Sequence, residues 1–162
     1  MQTNVFEKAK STQAFIMSLP VTTRQFTLAK LVVNVPVFGA LWLVTTAAIF
    51  SYAFGPGLLP PGAIPMVTMV CLGIFVAYIG ILSVSLLSQS LGVTILAILF
   101  FEMGTSAYLW AIVLFEPIGR YVFGPVAVWN GPAVAVLIAQ VFTAVAAIAA
   151  TFIVQTRTRD FA

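Results

Sequence analysis

The longest uncharged stretch of this sequence constrains its fold more than any other feature. Between Lys30 and Glu102 there are 71 residues without one Asp, Glu, Lys or Arg. Charged residues make up only 7% of the chain, whereas about a quarter is usual for a soluble domain. A soluble fold of this size has too much surface to hide such a stretch in its core. The sequence therefore predicts an all-α integral membrane protein whose helices have lipid as their solvent.

Four apolar segments are long enough to cross a bilayer, which takes about 20 residues. They cover residues 31–53, 64–87, 91–115 and 133–154. A turn rich in glycine and proline at 54–63 separates the first two segments, and a softer Ser-Gln-Ser break precedes the third. Residues 116–132 hold three prolines, three glycines and aromatic side chains, which suit the headgroup level. We expect four spans, with a loop at 116–132.

The basic residues predict the orientation of the four spans. The two tails carry six of the seven Lys and Arg residues, and the loops carry only Arg120. Because basic residues stay on the cytoplasmic side, we expect the chain to lie in the cell (inner) membrane with both termini in the cytoplasm. The net charge of +3 forms no basic patch. Nucleic-acid binding is therefore not expected.

The residue types also limit the chemistry. Cys71 is the only cysteine and the chain has no histidine. An intrachain disulfide is excluded, and zinc or haem sites lose their usual ligands, so no metal or cofactor is expected. Four acidic residues offer little from which to build an active site. We do not expect an enzyme.

Residues 1–30 are too polar to span the membrane. An apolar stripe recurs in them every three or four residues, which is typical of a helix lying on a membrane or on a partner; it comprises Phe6, Ala9, Gln13, Ile16 and Leu19. Pro20 interrupts this pattern. Thr22 and Gln25 then have the spacing of a capping box, which predicts a second helix that starts at Thr23 and runs into the first span.

The same 30 residues resemble a known family. Four short elements are similar to the cytoplasmic segment of type-2 ABC exporter permeases: Phe6-Glu7-Lys8, Ser18-Leu19-Pro20-Val21-Thr22, Gln25-Phe26 and Ala29-Lys30. In that family the segment follows the second membrane helix, and four further spans come after it. The last two are separated by an outer, partly re-entrant loop, which residues 116–132 resemble. The chain thus looks like the C-terminal two-thirds of such a permease, with the first two spans missing.

The resemblance implies a function and partners. A permease of this kind moves its substrate with ATP that a separate P-loop ATPase subunit hydrolyses, and it works together with further permease chains. This sequence has no Gly-x-x-x-x-Gly-Lys-Ser/Thr loop of its own. The resemblance places docking of the ATPase on Leu19, Pro20, Val21, Thr22, Arg24, Gln25 and Phe26. The alternative is a plain anchor, with Arg24 and Lys30 holding the helix end at an anionic leaflet.

Glu102 is the one ionisable residue deep inside a predicted span. A charge at the centre of a membrane helix costs about 2.5–3.5 kcal/mol on insertion scales, so we expect Glu102 to face a cavity or a partner. Thr105 and Ser106 follow at three and four residues, on the same face. These three residues line either a translocation path or a subunit interface, or they join helices by hydrogen bonds.

Small residues predict where helices come close together. Gly73, Ala77 and Gly80 indicate a packing face on the second span. A ladder of small residues at every fourth position on the last span serves either packing within the chain or a second copy: Ala135, Ala139, Thr143, Ala147 and Thr151. Glu116 and Arg120 are four apart, which is suitable for a surface ion pair.

Two functions remain open from the sequence. The first is the permease component of an ABC-type exporter. The second is a small four-span scaffold or accessory subunit of another membrane complex, which would not depend on residues 19–26.

Overall fold

The protein is described by a computed structural model that covers residues 23–88 and 90–157. These residues form helices and no strand, which confirms the all-α prediction. The helices are α1 (Thr23–Phe54), α2 (Ile64–Ser88), α3 (Leu91–Leu114), the short α4 (Glu116–Gly119) and α5 (Gly131–Arg157), with a 3-10 turn at Pro61–Ala63. All but α4 are long and apolar enough to cross a membrane. The predicted number of long apolar helices is confirmed.

The ends of the helices differ slightly from the predicted spans. Helix α5 begins two residues before the predicted span of 133–154 and ends three residues after it. The added residues are Gly131 and Pro132 at its start and the polar residues Gln155, Thr156 and Arg157 at its end. Helix α1 includes the polar residues from Thr23 onward. Thr23 is also the first described residue, so the capping box at Thr22 and the amphipathic stripe at 6–19 lie outside the described residues.

Helix α2 is the centre of the fold. It packs along the length of α3 on one side and of α5 on the other, while α1 touches α2 and α5 over a shorter distance. The side chains of Met69, Ile79 and Leu82 on α2 are fully buried. By contrast, the most apolar stretch of α1 contains no buried residue. A helix that is apolar on all sides is expected to lie in the middle of a bundle, and α2 does so.

Two glycines allow α3 to approach α2 closely. A Cβ atom on Gly80 would lie 2.3 Å from the Phe101 ring, and one on Gly73 would lie 3.0 Å from the Tyr108 ring. The aromatic side chains of α3 thus lie directly on the glycine positions of α2. This confirms the packing face predicted at Gly73 and Gly80, and it illustrates how small residues replace the hydrophobic effect as the basis of helix contact in lipid.

The two connections at the far end of the bundle are joined to each other. The amide N–H of Gly62 donates to the carbonyl oxygen of Gly124 at 2.9 Å. In the longer connection, Ile118 and Val122 are buried at 4% and 5% exposure, and Ile118 belongs to a cluster with Met69, Ile112 and Ala133. The loop at 116–132 therefore covers the ends of α2, α3 and α5. Its depth in the membrane, the re-entrant part of the expectation, stays a prediction.

Asn130 fixes the start of α5. Its Oδ1 accepts a hydrogen bond from the N–H of Ala133 at 3.0 Å, as an N-cap residue does. Its Nδ2 donates to the carbonyl oxygen of Pro117. One side chain thus joins the helix α5 to the turn around α4.

The ion pair expected between Glu116 and Arg120 does not form. The guanidinium of Arg120 lies over the ring of Tyr121, with its Cζ atom 4.7 Å from the ring centroid. Both side chains are exposed, so the Coulomb gain of an ion pair is small and the stacking contact takes its place.

The ladder of small residues on α5 is divided between two environments. Thr151 is buried, whereas Ala135, Ala139 and Thr143 are exposed. The face of α5 that is buried against the chain instead carries Ala133, Gln140, Ala144, Thr151 and Gln155. Packing within the chain therefore does not explain the first three positions of the ladder.

The contact at Gly62 provides a test of the fold. A Cβ atom there would lie 2.1 Å from the Tyr121 oxygen and 2.6 Å from the Gly124 oxygen, and both are backbone atoms that cannot rotate away. We expect Gly62→Ala to lower the free energy of unfolding by about 1–3 kcal/mol, as overpacking does. Unfolding in detergent micelles, followed by circular dichroism during titration with a denaturing detergent, measures it.

Gly104→Ala is the matched control, because nothing lies within 4 Å of a Cβ atom at Gly104. This variant should unfold at the same detergent fraction as the unchanged protein or at a higher one. Equal stability of the two variants would contradict the docking of the two connections.

Candidate functional site: a groove between the first and third spans

A groove opens along the bundle where α1 and α3 diverge. It is floored by α2 and encloses about 700 Å³. Phe38 of α1 forms one wall, and α3 forms the other with Ile98, Phe101, Glu102, Thr105, Ser106 and Leu109. We call it the α1–α3 groove. Its volume is within the range of about 300–1,000 Å³ typical of ligand sites.

The α1–α3 groove exists because α1 is joined to α2 and α5 but not along α3. The indole N–H of Trp42 donates to the carbonyl oxygen of Cys71 at 2.7 Å. The Tyr78 hydroxyl donates to the carbonyl oxygen of Asn34 at 3.2 Å. The rings of Phe38 and Tyr78 are stacked, with centroids 3.5 Å apart. These contacts hold the middle of α1 on α2 and leave the space beside α3 open.

The three polar residues predicted on α3 lie together in this groove. Glu102, Thr105 and Ser106 all line it. The Thr105 hydroxyl donates to the carbonyl oxygen of Phe101 in its own helix at 2.8 Å, so it is satisfied locally. Glu102 and Ser106 are exposed. The structure therefore brings the predicted intramembrane residues to one surface, and that surface is a groove and not a contact between helices of this chain.

The electrostatic character of the groove comes from Glu102 alone. Glu102 is the twelfth residue of the 24-residue helix α3, so it lies about 17 Å along the helix axis from Leu91 at a rise of about 1.5 Å per residue. It forms no hydrogen bond or ion pair with the described residues, and its neighbours in the groove are mainly aliphatic and aromatic. The described helices thus offer no partner to the carboxyl group in the middle of α3.

Only three of the residues predicted to dock an ATPase are among the described residues. Leu19, Pro20, Val21 and Thr22 are outside the described residues. Arg24, Gln25 and Phe26 belong to the first turn of α1, and the side chain of Gln25 is exposed. They stand two turns or more before Asn34, where α1 first meets Tyr78 of α2. The described members of the predicted docking set and one wall of the groove thus belong to the same helix, α1.

Sequence reasoning missed a set of polar side chains that join α5 to α2. The amide Nε2 of Gln140 donates to the carbonyl oxygen of Met69 at 2.9 Å and to the Tyr108 hydroxyl at 2.6 Å. The Nε2 of Gln155 donates to the carbonyl oxygen of Leu86 at 3.1 Å. The signal was available, because glutamines are rare in apolar spans and Gln140 stands near the middle of one. Gln140 carries no charge, and sequence reasoning overlooked it for that reason.

The described residues contain no group of three or more His, Cys, Asp or Glu side chains that could hold a metal ion. Cys71 is a buried free thiol on α2.

Comparison of the chain with known protein families, with curated proteins and with solved structures gave no match. The fold therefore defines the class by itself: this is a multi-pass membrane protein with four helices long and apolar enough to cross a membrane. The resemblance to type-2 ABC exporter permeases rests on residues 6–30 and on the order of the spans, and it stays a hypothesis.

The Gln140 contacts allow a quantitative test. Hydrogen bonds between helices in membranes contribute about 0.6 kcal/mol on average and up to about 1.7 kcal/mol. We expect Gln140→Ala and Tyr108→Phe to destabilise the protein, with a coupling energy of about that average in a double-mutant cycle. Unfolding in micelles gives the four free energies.

Thr143→Ala on the exposed side of α5 is the control and should show no coupling to Tyr108→Phe, because the Thr143 hydroxyl donates to Ala139 of its own helix. A coupling energy near zero for Gln140 and Tyr108 would contradict the contact.

Proposed function

We propose that this chain is a membrane-spanning permease component of an ABC-type exporter, with ATP hydrolysed by a separate P-loop ATPase subunit. The observation that carries the proposal is the α1–α3 groove, which holds Glu102 at mid-span without a partner among the described residues. A carboxyl group facing lipid there would cost about 2.5–3.5 kcal/mol. Other membrane helices or a transported molecule must therefore cover the groove.

The incomplete cover of α1 supports an assembly of several chains. No residue in the most apolar stretch of α1 is buried, and large side chains such as Val37 and Val44 are 67% and 69% exposed. On this proposal, further membrane helices of the permease complete the bundle around α1. The exposed positions of the α5 ladder offer a second surface for such a chain.

The location of the docking residues on α1 supports a role for the partner ATPase. Gln25 stands in the first turn of the helix that forms one wall of the groove. Movement of a subunit bound at residues 19–26 would act directly on that wall. In the proposed cycle, closure of the ATPase dimer shifts α1 relative to α2, and paired permease halves alternate between inward and outward openings. The chain itself hydrolyses nothing.

In the proposed orientation the chain lies in the cell (inner) membrane and both termini are in the cytoplasm. The clustering of Lys and Arg in the two tails favours it. The ATPase would then meet residues 19–26 from the cytoplasmic side, where ATP is available. The connections around Gly62 and Gly124 would face outward.

Docking is tested by capture of the partner. The full chain is co-expressed with a P-loop ATPase encoded near its gene and purified in a mild detergent. We expect the ATPase to co-purify, and Leu19→Asp or Phe26→Asp to reduce its recovery at least tenfold, because a charge in an apolar contact is costly to desolvate.

Phe123→Asp is the matched control, since Phe123 is 84% exposed in the connection at the opposite end of the bundle. It should leave recovery of the ATPase unchanged. Co-purification of a complex without an ATPase, unaffected by the changes at 19 and 26, would instead establish the four-span scaffold.

Cover of the groove by further helices is tested by thiol labelling. Ser106 is exposed in the groove, and Cys71 is replaced by alanine to remove the native thiol. We expect Ser106→Cys to react with a maleimide in the isolated chain and at least tenfold more slowly in the complex with its partners.

Leu96→Cys is the control for this labelling. Leu96 is 66% exposed on the same helix and does not line the groove, so its reaction rate should not change on assembly. Equal rates for Ser106→Cys in the isolated and the assembled protein would show that the groove stays open, which contradicts its role as an interface or closed path.

A further inference from the structure

A second groove lies on the other side of α1, where this helix meets α5. It encloses about 580 Å³ and is lined by apolar side chains only, namely Leu28, Leu31, Val32, Val35, Pro36, Val145, Ile148, Ala149 and Phe152. Its floor is continuous with the core, because Leu31 is buried against Leu82 and Leu86 of α2. Its rim is open, with Val32 and Val145 each 60% exposed. We call it the α1–α5 groove.

The length of the α1–α5 groove matches one leaflet of a bilayer. On α1 it extends from Leu28 to Pro36, which is about 12 Å at a rise of about 1.5 Å per residue. On α5 it extends from Val145 to Phe152, which is about 10 Å. Half of a hydrocarbon core is about 15 Å thick. The groove thus follows the path of an acyl chain within a single leaflet.

Basic residues stand at one end of this groove. Four spans return the chain to the side from which it started, so the start of α1 and the end of α5 lie at the same end of the bundle. Arg24 is one helical turn before Leu28 in α1. Arg157 is the last residue of α5. The acidic residues of the described chain, Glu102 and Glu116, stand at mid-span and at the opposite end.

A second copy of this chain is a poor occupant of the α1–α5 groove. Copies in one membrane share the same orientation, so the helix ends that carry Arg24 and Arg157 would meet the same ends of the neighbour. Like charges at close distance repel each other. An anionic group at that end removes the repulsion, and an apolar chain attached to it fills the groove.

We propose that the α1–α5 groove binds an anionic glycerophospholipid, with one acyl chain along Leu31, Val35, Ile148 and Phe152 and the phosphate at the level of Arg24. Basic sites between membrane helices bind anionic headgroups in this way. The site does not depend on the proposed transport function, and it lies on the opposite side of α1 from Glu102.

The test counts the lipids bound to the full chain by native mass spectrometry. The detergent-solubilised protein is titrated with dioleoylphosphatidylglycerol or with dioleoylphosphatidylcholine, which share their acyl chains and differ in headgroup charge. We expect the first phosphatidylglycerol to bind at least fivefold more tightly than phosphatidylcholine. An excess of inorganic phosphate should not displace it, because the acyl chain contributes to binding.

Two pairs of variants separate the headgroup from the acyl chain. Arg24→Gln should weaken phosphatidylglycerol binding about fivefold, which corresponds to about 1 kcal/mol, and leave phosphatidylcholine unchanged; Arg120→Gln, at the other end of the bundle, should change neither. Ala149→Phe fills the groove from its rim and should weaken both lipids, whereas Ala150→Phe, at the next exposed position of α5 and outside the groove, should weaken neither.

Several results would overturn the proposal: equal affinity for the two lipids, equal losses from Arg24→Gln and Arg120→Gln, or equal effects of the two phenylalanine variants. Displacement of the lipid by inorganic phosphate would indicate an anion site without an acyl-chain groove. Circular dichroism of each variant in lipid-free detergent shows whether it is folded, so that a loss of binding is not confused with a loss of structure.

Discussion

Lipid offers no hydrogen bonds, so polar groups in the spans must find hydrogen-bond partners within the protein, and the structure depends on this constraint. Helix α2 meets part of this demand, because its backbone carbonyl groups accept additional hydrogen bonds from neighbouring helices. Trp42 of α1 donates to Cys71, Gln140 of α5 donates to Met69, and the second glutamine of α5 donates to the last turns of α2. An apolar helix without Asp, Glu, Lys or Arg thus provides the carbonyl acceptors on which α1 and α5 are positioned.

The two kinds of contact with α2 have different consequences. Glycines at 73 and 80 bring α3 close to α2, so the rings of Tyr108 and Phe101 lie directly on those positions. Helix α1 has no such glycine contact and is held through stacking and two hydrogen bonds near its middle. The spaces between α1 and α3 and between α1 and α5 therefore stay partly open. One groove holds the single carboxyl group of the spans, and the other is wholly apolar.

The sequence was sufficient for some of these features and not for others. Span number follows from the length of apolar runs, and the glycine face of α2 follows from spacing. The grooves do not follow, because they depend on which helices are neighbours, and uniformly apolar spans carry little periodicity to indicate that. A glutamine at 140 indicates that a polar contact forms, but the sequence does not indicate which atom accepts the hydrogen bond. The acceptor is a backbone carbonyl group, which every residue has. The pairing of Gly62 with Gly124 joins segments 62 residues apart and has no sequence signature.

Helix α1 connects the features to which function is assigned. Its 32 residues extend about 48 Å at a rise of about 1.5 Å per residue, with Arg24 and Gln25 at one end and the walls of both grooves further along. Pro36 lacks an N–H, so the hydrogen bond to the carbonyl group of Val32 is missing at the level where α1 passes between the grooves. Bending is easiest there. On the proposed function, a displacement at the docking end would move the part of α1 below Pro36 against α5, and thus widen or narrow the lipid site. Because Phe38 and Trp42 hold the part above it on α2, the two grooves would respond differently to the same movement.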